Sequence, residues 1–209
     1  MGTEFIDRVF AEKTLEGQRH IYNEWSATYE QEIFGNGYRT PAIIAAAFAR
    51  FVPLDAGPIL DAGCGGGLQS EPLAVLGYGP IIGMDISPGM LSVAQAKGIY
   101  AELHEAPLDT HLPFADRQFA AVISAGVLSP GQAPAEALAE LARVTQPGGF
   151  CVFSLRAGNR TSPDYTALCQ QLEDKGVWRL RLETGDFQVM PVAEPEGLHE
   201  VRVYEVLGP

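Results

Sequence analysis

Two aspartates and a run of glycines carry the first chemical signal in the chain. Asp61 is followed by glycine at positions 63, 65, 66 and 67, and Asp85 stands 24 residues beyond it. Glycines this dense let the backbone turn with φ > 0 and leave its N–H groups uncovered. At a strand-to-helix turn, such amides and a helix N-terminus cradle the polar parts of a ligand. A carboxylate about 20 residues further on accepts hydrogen bonds from the vicinal hydroxyls of a ribose. The pattern is that of a nucleoside-binding fold. An NAD fingerprint puts glycine directly after the strand, whereas here an acid precedes the glycines, which argues against a nicotinamide-dependent oxidoreductase.

These residues need a sheet to hold them. Ile59 and Leu60 close a short apolar run that reads as a buried strand. Leu68, Leu73 and Leu76 follow the glycines at roughly helical spacing. Pro80–Met84 reads as a second strand with Asp85 at its end. Beyond it, helices are expected over Leu91–Lys97, Ala135–Val144 and Tyr165–Gly176. Strands are expected over Ile99–His104, Ala120–Ser124, Phe150–Leu155, Trp178–Glu183 and His199–Val206. This alternation predicts a doubly wound α/β sheet. Residues 5–50 read as helical, with Pro41 leading the apolar helix Ala42–Phe51 and Pro53 ending it. Tyr22, Trp25 and Tyr29 are spaced three and four apart, placing their rings on one helix face, as core packing or as part of a site. The stretch 187–197, rich in proline and acid, reads as a linker bordering the substrate.

Four ordered segments resemble the class I S-adenosylmethionine (SAM)-dependent methyltransferases. Asp61-Ala62-Gly63-Cys64-Gly65-Gly66-Gly67 is similar to their D/E-x-G-x-G-x-G motif, and Gly83–Leu91 to G-x-D-x-S-x-x-M-L. Leu112-Pro113-Phe114 with Phe119–Leu128 resembles their L-P-F…F-D-x-V stretch, and Val144–Gly149 their L-K-P-G-G turn. Tyr22-x-x-Trp25, Tyr38-Arg39-x-Pro41, Gly126–Gln132 and Gly176-Val177-Trp178 together resemble the Williams–Beuren syndrome critical-region methyltransferase-like proteins.

The resemblance implies a single domain over 1–209: a Rossmann-like, seven-stranded, mostly parallel sheet whose last strand is antiparallel. Its parts would be a helical lid over 1–52, a SAM-binding core over 53–156 and a substrate-side part over 157–209. It implies SAM as cofactor, S-adenosyl-L-homocysteine as product, and a methyl group passed to O, N or C of a small molecule. In this reading Asp61 and the amides of Gly63, Cys64 and Gly65 hold the methionine part, and Asp85 the ribose. Met84 or Ile86 covers one adenine face, with Met90 from the same motif and Ser124 and Gly126 from the fourth strand's end. Leu108 is the preferred adenine contact, with Glu105 and Asp109 as alternatives. Tyr22, Trp25 and Tyr29 lid the pocket, where ring faces attract a sulfonium. Arg39 is a candidate for the methionine carboxylate, being able to bind it in bidentate fashion, or else a surface residue. Asn23 and Glu30 stand where the family usually has aspartate. No residue is identified as a base: His20, His104, His111 and His199 are candidates, and Ser129 stands where many relatives have histidine. A protein that binds SAM without turnover, as an interaction module, is the alternative reading.

Composition narrows the partners. A net charge of −12 over 209 residues disfavours nucleic acid and anionic membranes. No apolar run approaches the ~20 residues of a membrane span, and without a signal-like start the expected address is the cytoplasm. Three cysteines, Cys64, Cys151 and Cys169, form neither a disulfide set nor a metal-ligand pattern.

Overall fold

The computed structural model describes residues 4–208. Four helices come first: α1 (Glu4–Ala11), α2 (Leu15–Trp25), α3 (Tyr29–Gly35) and α4 (Thr40–Phe51). Then follow β1 (Ile59–Ala62), α5 (Glu71–Val75), β2 (Ile81–Asp85), α6 (Pro88–Lys97), β3 (Glu102–Glu105), β4 (Phe119–Ser124), α7 (Ala137–Val144) and β5 (Thr145–Arg156). The chain ends with α8 (Pro163–Asp174), β6 (Trp178–Glu183), β7 (Phe187–Met190) and β8 (Glu194–Val206).

The strands lie in the order β3-β2-β1-β4-β5-β8-β6. Strands β1 to β5 pair in parallel, and β8 enters antiparallel between β5 and β6. Parallel strands covered on both faces are largely apolar, and β1 is buried at every residue, with Asp61 as its one polar exception. The edge strand β3 is short, acidic and exposed, a composition that discourages pairing with a further chain. Leu138 and Leu141 of α7 pack with Trp178 and Tyr204 in one core; Ile44 and Phe48 of α4 pack with Leu73, Val201 and Val203 in another.

Three elements differ from the sequence reading, each for a local reason. The lid helix breaks at 26–28, where the Ser26 hydroxyl turns back onto the Asn23 carbonyl at 2.9 Å. Tyr22, Trp25 and Tyr29 therefore sit on two helices, although their rings still touch, Trp25 and Tyr29 edge-on at 4.7 Å. Helix α5 is a single short piece starting at Glu71, because Asp61 holds the side chains of Gln69 and Ser70 and keeps 67–70 in turns. It is too short and too late to aim its N-terminus as expected. The supposed linker 187–197 contains strand β7, hairpinned onto β8 through Phe187–His199 and Met190–Glu194. Its Val189 and Met190 fill a third, smaller core with Ile6, Val9, Ile21, Trp25 and Ile33 of the lid, and that burial gives the strand its reason.

Candidate functional site

The carboxyl ends of β1, β2 and β4 meet under the lid, where open α/β sheets bind ligands. At the first, the N–H groups of Gly63 and Cys64 both donate to the Met84 carbonyl at 2.9 Å, folding the glycine turn against β2. The next amide, Gly65, donates to Asp85 Oδ2 at 2.8 Å, and Ser87 N–H donates to Oδ1 at 2.9 Å. Asp85 is thus fixed by two backbone donors and retains lone pairs for a ligand. Burial raises its pKa despite those donors. Gly65 has φ +51, and a Cβ there would meet nothing, so glycine is demanded by the backbone and the cavity wall stays low.

Around this floor lies a cavity of about 810 Å³, counted to its open mouth. Ile86, Met90, Ala106 and Leu108 line its apolar end, and Leu15, Gln18, Tyr22 and Tyr29 close it from the lid. The lid is tied down beside it. Asn23 Oδ1 accepts from Ser87 Oγ (2.7 Å) and Gly89 N–H (2.9 Å), and Arg19 donates to the Ile86 carbonyl (3.1 Å) and pairs with Glu105. On the far side, Lys97 bridges Glu30 and Glu71, both at 2.8 Å.

A second cavity, about 730 Å³ to its mouth, lies beside the first. The two share Tyr22, Tyr29, Tyr38, Gly126 and Gln132. At that wall Gln132 Nε2 donates to the Tyr22 hydroxyl at 2.9 Å, and Ser129 Oγ donates to Gln132 Oε1, also at 2.9 Å. Gly126 (φ +71) lets the Tyr38 hydroxyl approach; a Cβ there would stand 2.7 Å from it. Burial raises all three tyrosines, Tyr38 to about 12, so they present neutral hydroxyls and ring faces. The outer wall is made by Ile6, Val9 and Phe10 of α1, by Val189, Met190 and His199 of the β7–β8 hairpin, and by Arg156, whose guanidinium lies 4.9 Å from the Phe10 ring.

Of the residues singled out from sequence, Tyr22, Tyr29, Gly63, Cys64, Gly65, Asp85, Ile86, Met90, Leu108 and Gly126 line the first cavity. Four do not. Asp61 is fully buried, accepting from Gln69 Nε2 (2.8 Å), Ser70 Oγ (2.6 Å) and Tyr100 OH (2.7 Å), and burial pushes its carboxyl up to about 6. Trp25 is 3% exposed, stacks on Phe5 at 5.4 Å and lines only the second cavity. Arg39 is exposed at the start of α4, with its backbone N–H on the Val189 carbonyl and its side chain at neither cavity. Ser124 Oγ ties β4 to β1 through the Ala62 carbonyl at 2.8 Å. Between the open alternatives, Ile86 lines the cavity and Met84 is packed in the core; Leu108 lines it, while Glu105 and Asp109 do not. His199 is at the second cavity; His20 and His104 pair with Glu24 and Glu102, and His111 lies 3.9 Å from Glu140.

Gln18, Tyr38 and Gln132 were not singled out. Gln18 is the polar member of the buried face Gln18-Ile21-Trp25 of α2, and a polar side chain on such a stripe is the signal that marks it. Tyr38 and Gln132 stand in two of the family-like segments, Tyr38-Arg39-x-Pro41 and Gly126–Gln132, which mark them as positions without giving a role. Among the described residues no cluster of His, Cys, Asp or Glu suits a metal, and no helix is long and apolar enough to cross a membrane.

The sequence signature of the methyltransferase domain family matches residues 60–153. Human methyltransferase-like protein 27 is 36% identical over 169 residues, which cover 76% of this chain and 67% of that protein. The demethylmenaquinone methyltransferase of Renibacterium salmoninarum is 41% identical over 95 residues, 45% of this chain and 39% of that enzyme. The crystal structure of a SAM-dependent methyltransferase from Thermotoga maritima superposes with a TM-score of 0.66 over 91% of this chain and 99% of its own, at 16% identity.

Proposed function

The chain belongs to the class I SAM-dependent methyltransferases, and on that premise we propose that its first cavity takes SAM and its second takes a small-molecule methyl acceptor. The observation that carries this reading is the common wall of Tyr22, Tyr29, Tyr38, Gly126 and Gln132 between two cavities of unlike lining. Because the same residues line both cavities, a donor in one and an acceptor in the other would lie side by side at Tyr22, Tyr38 and Gly126.

The residues fit a nucleoside cofactor. Asp85 offers fixed carboxylate oxygens for vicinal hydroxyls, and Ile86, Met90 and Leu108 offer apolar faces for a planar base. The turn at Gly63–Gly65 lines the cavity, but its three N–H groups are already given to the Met84 carbonyl and Asp85, so they do not hold the methionine part as expected; the turn serves by carrying Asp85 and shaping the cavity floor. When bound, SAM supplies a sulfonium-activated methyl group, so the chain's own work is alignment. Holding two reactants in line is worth up to about 7–11 kcal/mol of barrier. Tyr22 and Gln132 fix the shared wall, and the tyrosine faces favour positive charge next to it. The second cavity, where Phe10, Trp25 and aliphatic side chains stand beside Ser154, Arg156, Glu194 and His199, suits an acceptor with an apolar body and a polar group; the bacterial relative, by its name, methylates demethylmenaquinone. His199, the histidine at this cavity, is the candidate to take the acceptor's proton.

Calorimetric titration with SAM and S-adenosylhomocysteine, then mass-spectrometric detection of methyl transfer to a panel of phenols, quinols and amines, tests the reading. Micromolar binding and a methylated product are expected. Binding with no product across the panel would favour the interaction-module reading, and no binding by folded protein would sink both.

A further inference from the structure

The lid carries a polar group that its own packing leaves half satisfied. Gln18 on α2 is 1% exposed and lines the first cavity. Its Nε2 donates to two backbone carbonyls of the preceding segment, Val9 at 2.8 Å and Glu12 at 3.1 Å. Both partners are acceptors only, so the amide orientation is forced: the NH2 faces α1 and Oε1 faces away. That oxygen is buried and has no hydrogen-bond partner. An unmet buried acceptor is costly, and it is retained where something else meets it. The next residue, Arg19, bonds to the Ile86 carbonyl, which sets this turn of α2 over the ends of β2 and β3, near Ala106 and Leu108.

We propose that Gln18 Oε1 accepts a hydrogen bond from an N–H or O–H group of the bound nucleoside, making Gln18 a cofactor-binding residue set in the lid. The proposal rests on the reading of the first cavity as the cofactor site. Its consequence is that cofactor and lid stabilise each other, since the same amide also holds α1.

The test couples a protein change to a ligand change. Binding of S-adenosylhomocysteine, S-inosylhomocysteine (no 6-amino donor) and the 2′- and 3′-deoxy analogues is measured by calorimetry for the wild type and for Gln18→Met and Gln18→Leu. Expected is an affinity loss of about tenfold for S-adenosylhomocysteine in the variants, the size of one unmade buried hydrogen bond. That loss should vanish for the one analogue lacking the partner group, which also identifies the amino or hydroxyl source. Equal losses for every ligand would mean that Gln18 only packs the lid, and unchanged affinity would mean that a water meets Oε1; either overturns the proposal. Failure of the wild type to bind S-adenosylhomocysteine would instead fall on the cofactor reading itself, and this inference with it.

Discussion

Asp61 and Asp85 close adjacent parallel strands, and in the sequence they look like two members of one site. In the structure they differ completely in what their oxygens meet. Asp61 is sealed under the glycine turn with three side-chain donors, from Gln69, Ser70 and Tyr100. Asp85 takes backbone donors, Gly65 and Ser87 among them, and lines the cavity. One carboxylate shapes the turn; the other is left available. A motif acid can therefore serve a ligand indirectly, by holding the glycine turn that lines the cavity and fixes the neighbouring carboxylate.

Substitutions should separate the two. Asp61→Ala strands three donors in a dry interior and should cost about 3 kcal/mol or more of stability, read as a fall in the urea midpoint. A loss below about 1 kcal/mol would erase the distinction. The pH dependence should follow Asp61 as well. Its folded pKa, up to about 6, lies above the unfolded value of about 4, so the proton is held more tightly in the folded state. The contribution to stability is complete below pH ~4 and is lost as pH rises through ~6, about 3 kcal/mol in all. Asp61→Asn can keep all three partners without the charge, so its unfolding free energy between pH 4.5 and 7.5 should lack that decline. Asp85→Ala should act on the ligand: SAM affinity falls by more than about 1 kcal/mol, with a smaller change in stability, when titration and denaturation are run on the same preparation. Smallest is Arg39→Ala, exposed and away from both cavities, which should leave SAM affinity within about 0.5 kcal/mol of wild type. A tenfold weakening there would return Arg39 to the site.

Much of the fold was legible because buried parallel strands announce themselves as apolar runs, as Ile81–Met84 does; helix α6, expected over Leu91–Lys97, begins earlier, at Pro88, where the Ser87 Oγ cap accepts from Met90 N–H at 3.1 Å, and it ends at Gly98, with φ +65. Strand β7 was not, since Pro191 and Pro195 gave 187–197 the look of a linker while the partner that makes it a strand is the lid, some 150 residues earlier in sequence. In the site, Asp85 and the glycines were readable from spacing, which is local. Whether Asp61, Arg39 or Ser124 reached the cavity depended on which neighbours claimed them. Tyr100 on Asp61 and the Ala62 carbonyl on Ser124 come from contacts 39 and 62 residues away, and no local pattern encodes those.

The packing of Val189 and Met190 against Ile6, Val9, Ile21 and Trp25 joins the first helices of the chain to its last hairpin. On a ribosome, the lid emerges first and its apolar stripe has no cover until the final strands follow. Contacts this distant in sequence form late, because the loop between them must close before they are rewarded. The half of the sheet built by β1, β2 and β4, with the Asn23 and Arg19 bonds that tie α2 to it, needs neither β7 nor β8, so the first cavity should take shape before the second does. Truncation after β6 removes β7 and also β8, the strand between β5 and β6, and should yield a chain that exposes both the stripe and the edge of β5 and aggregates.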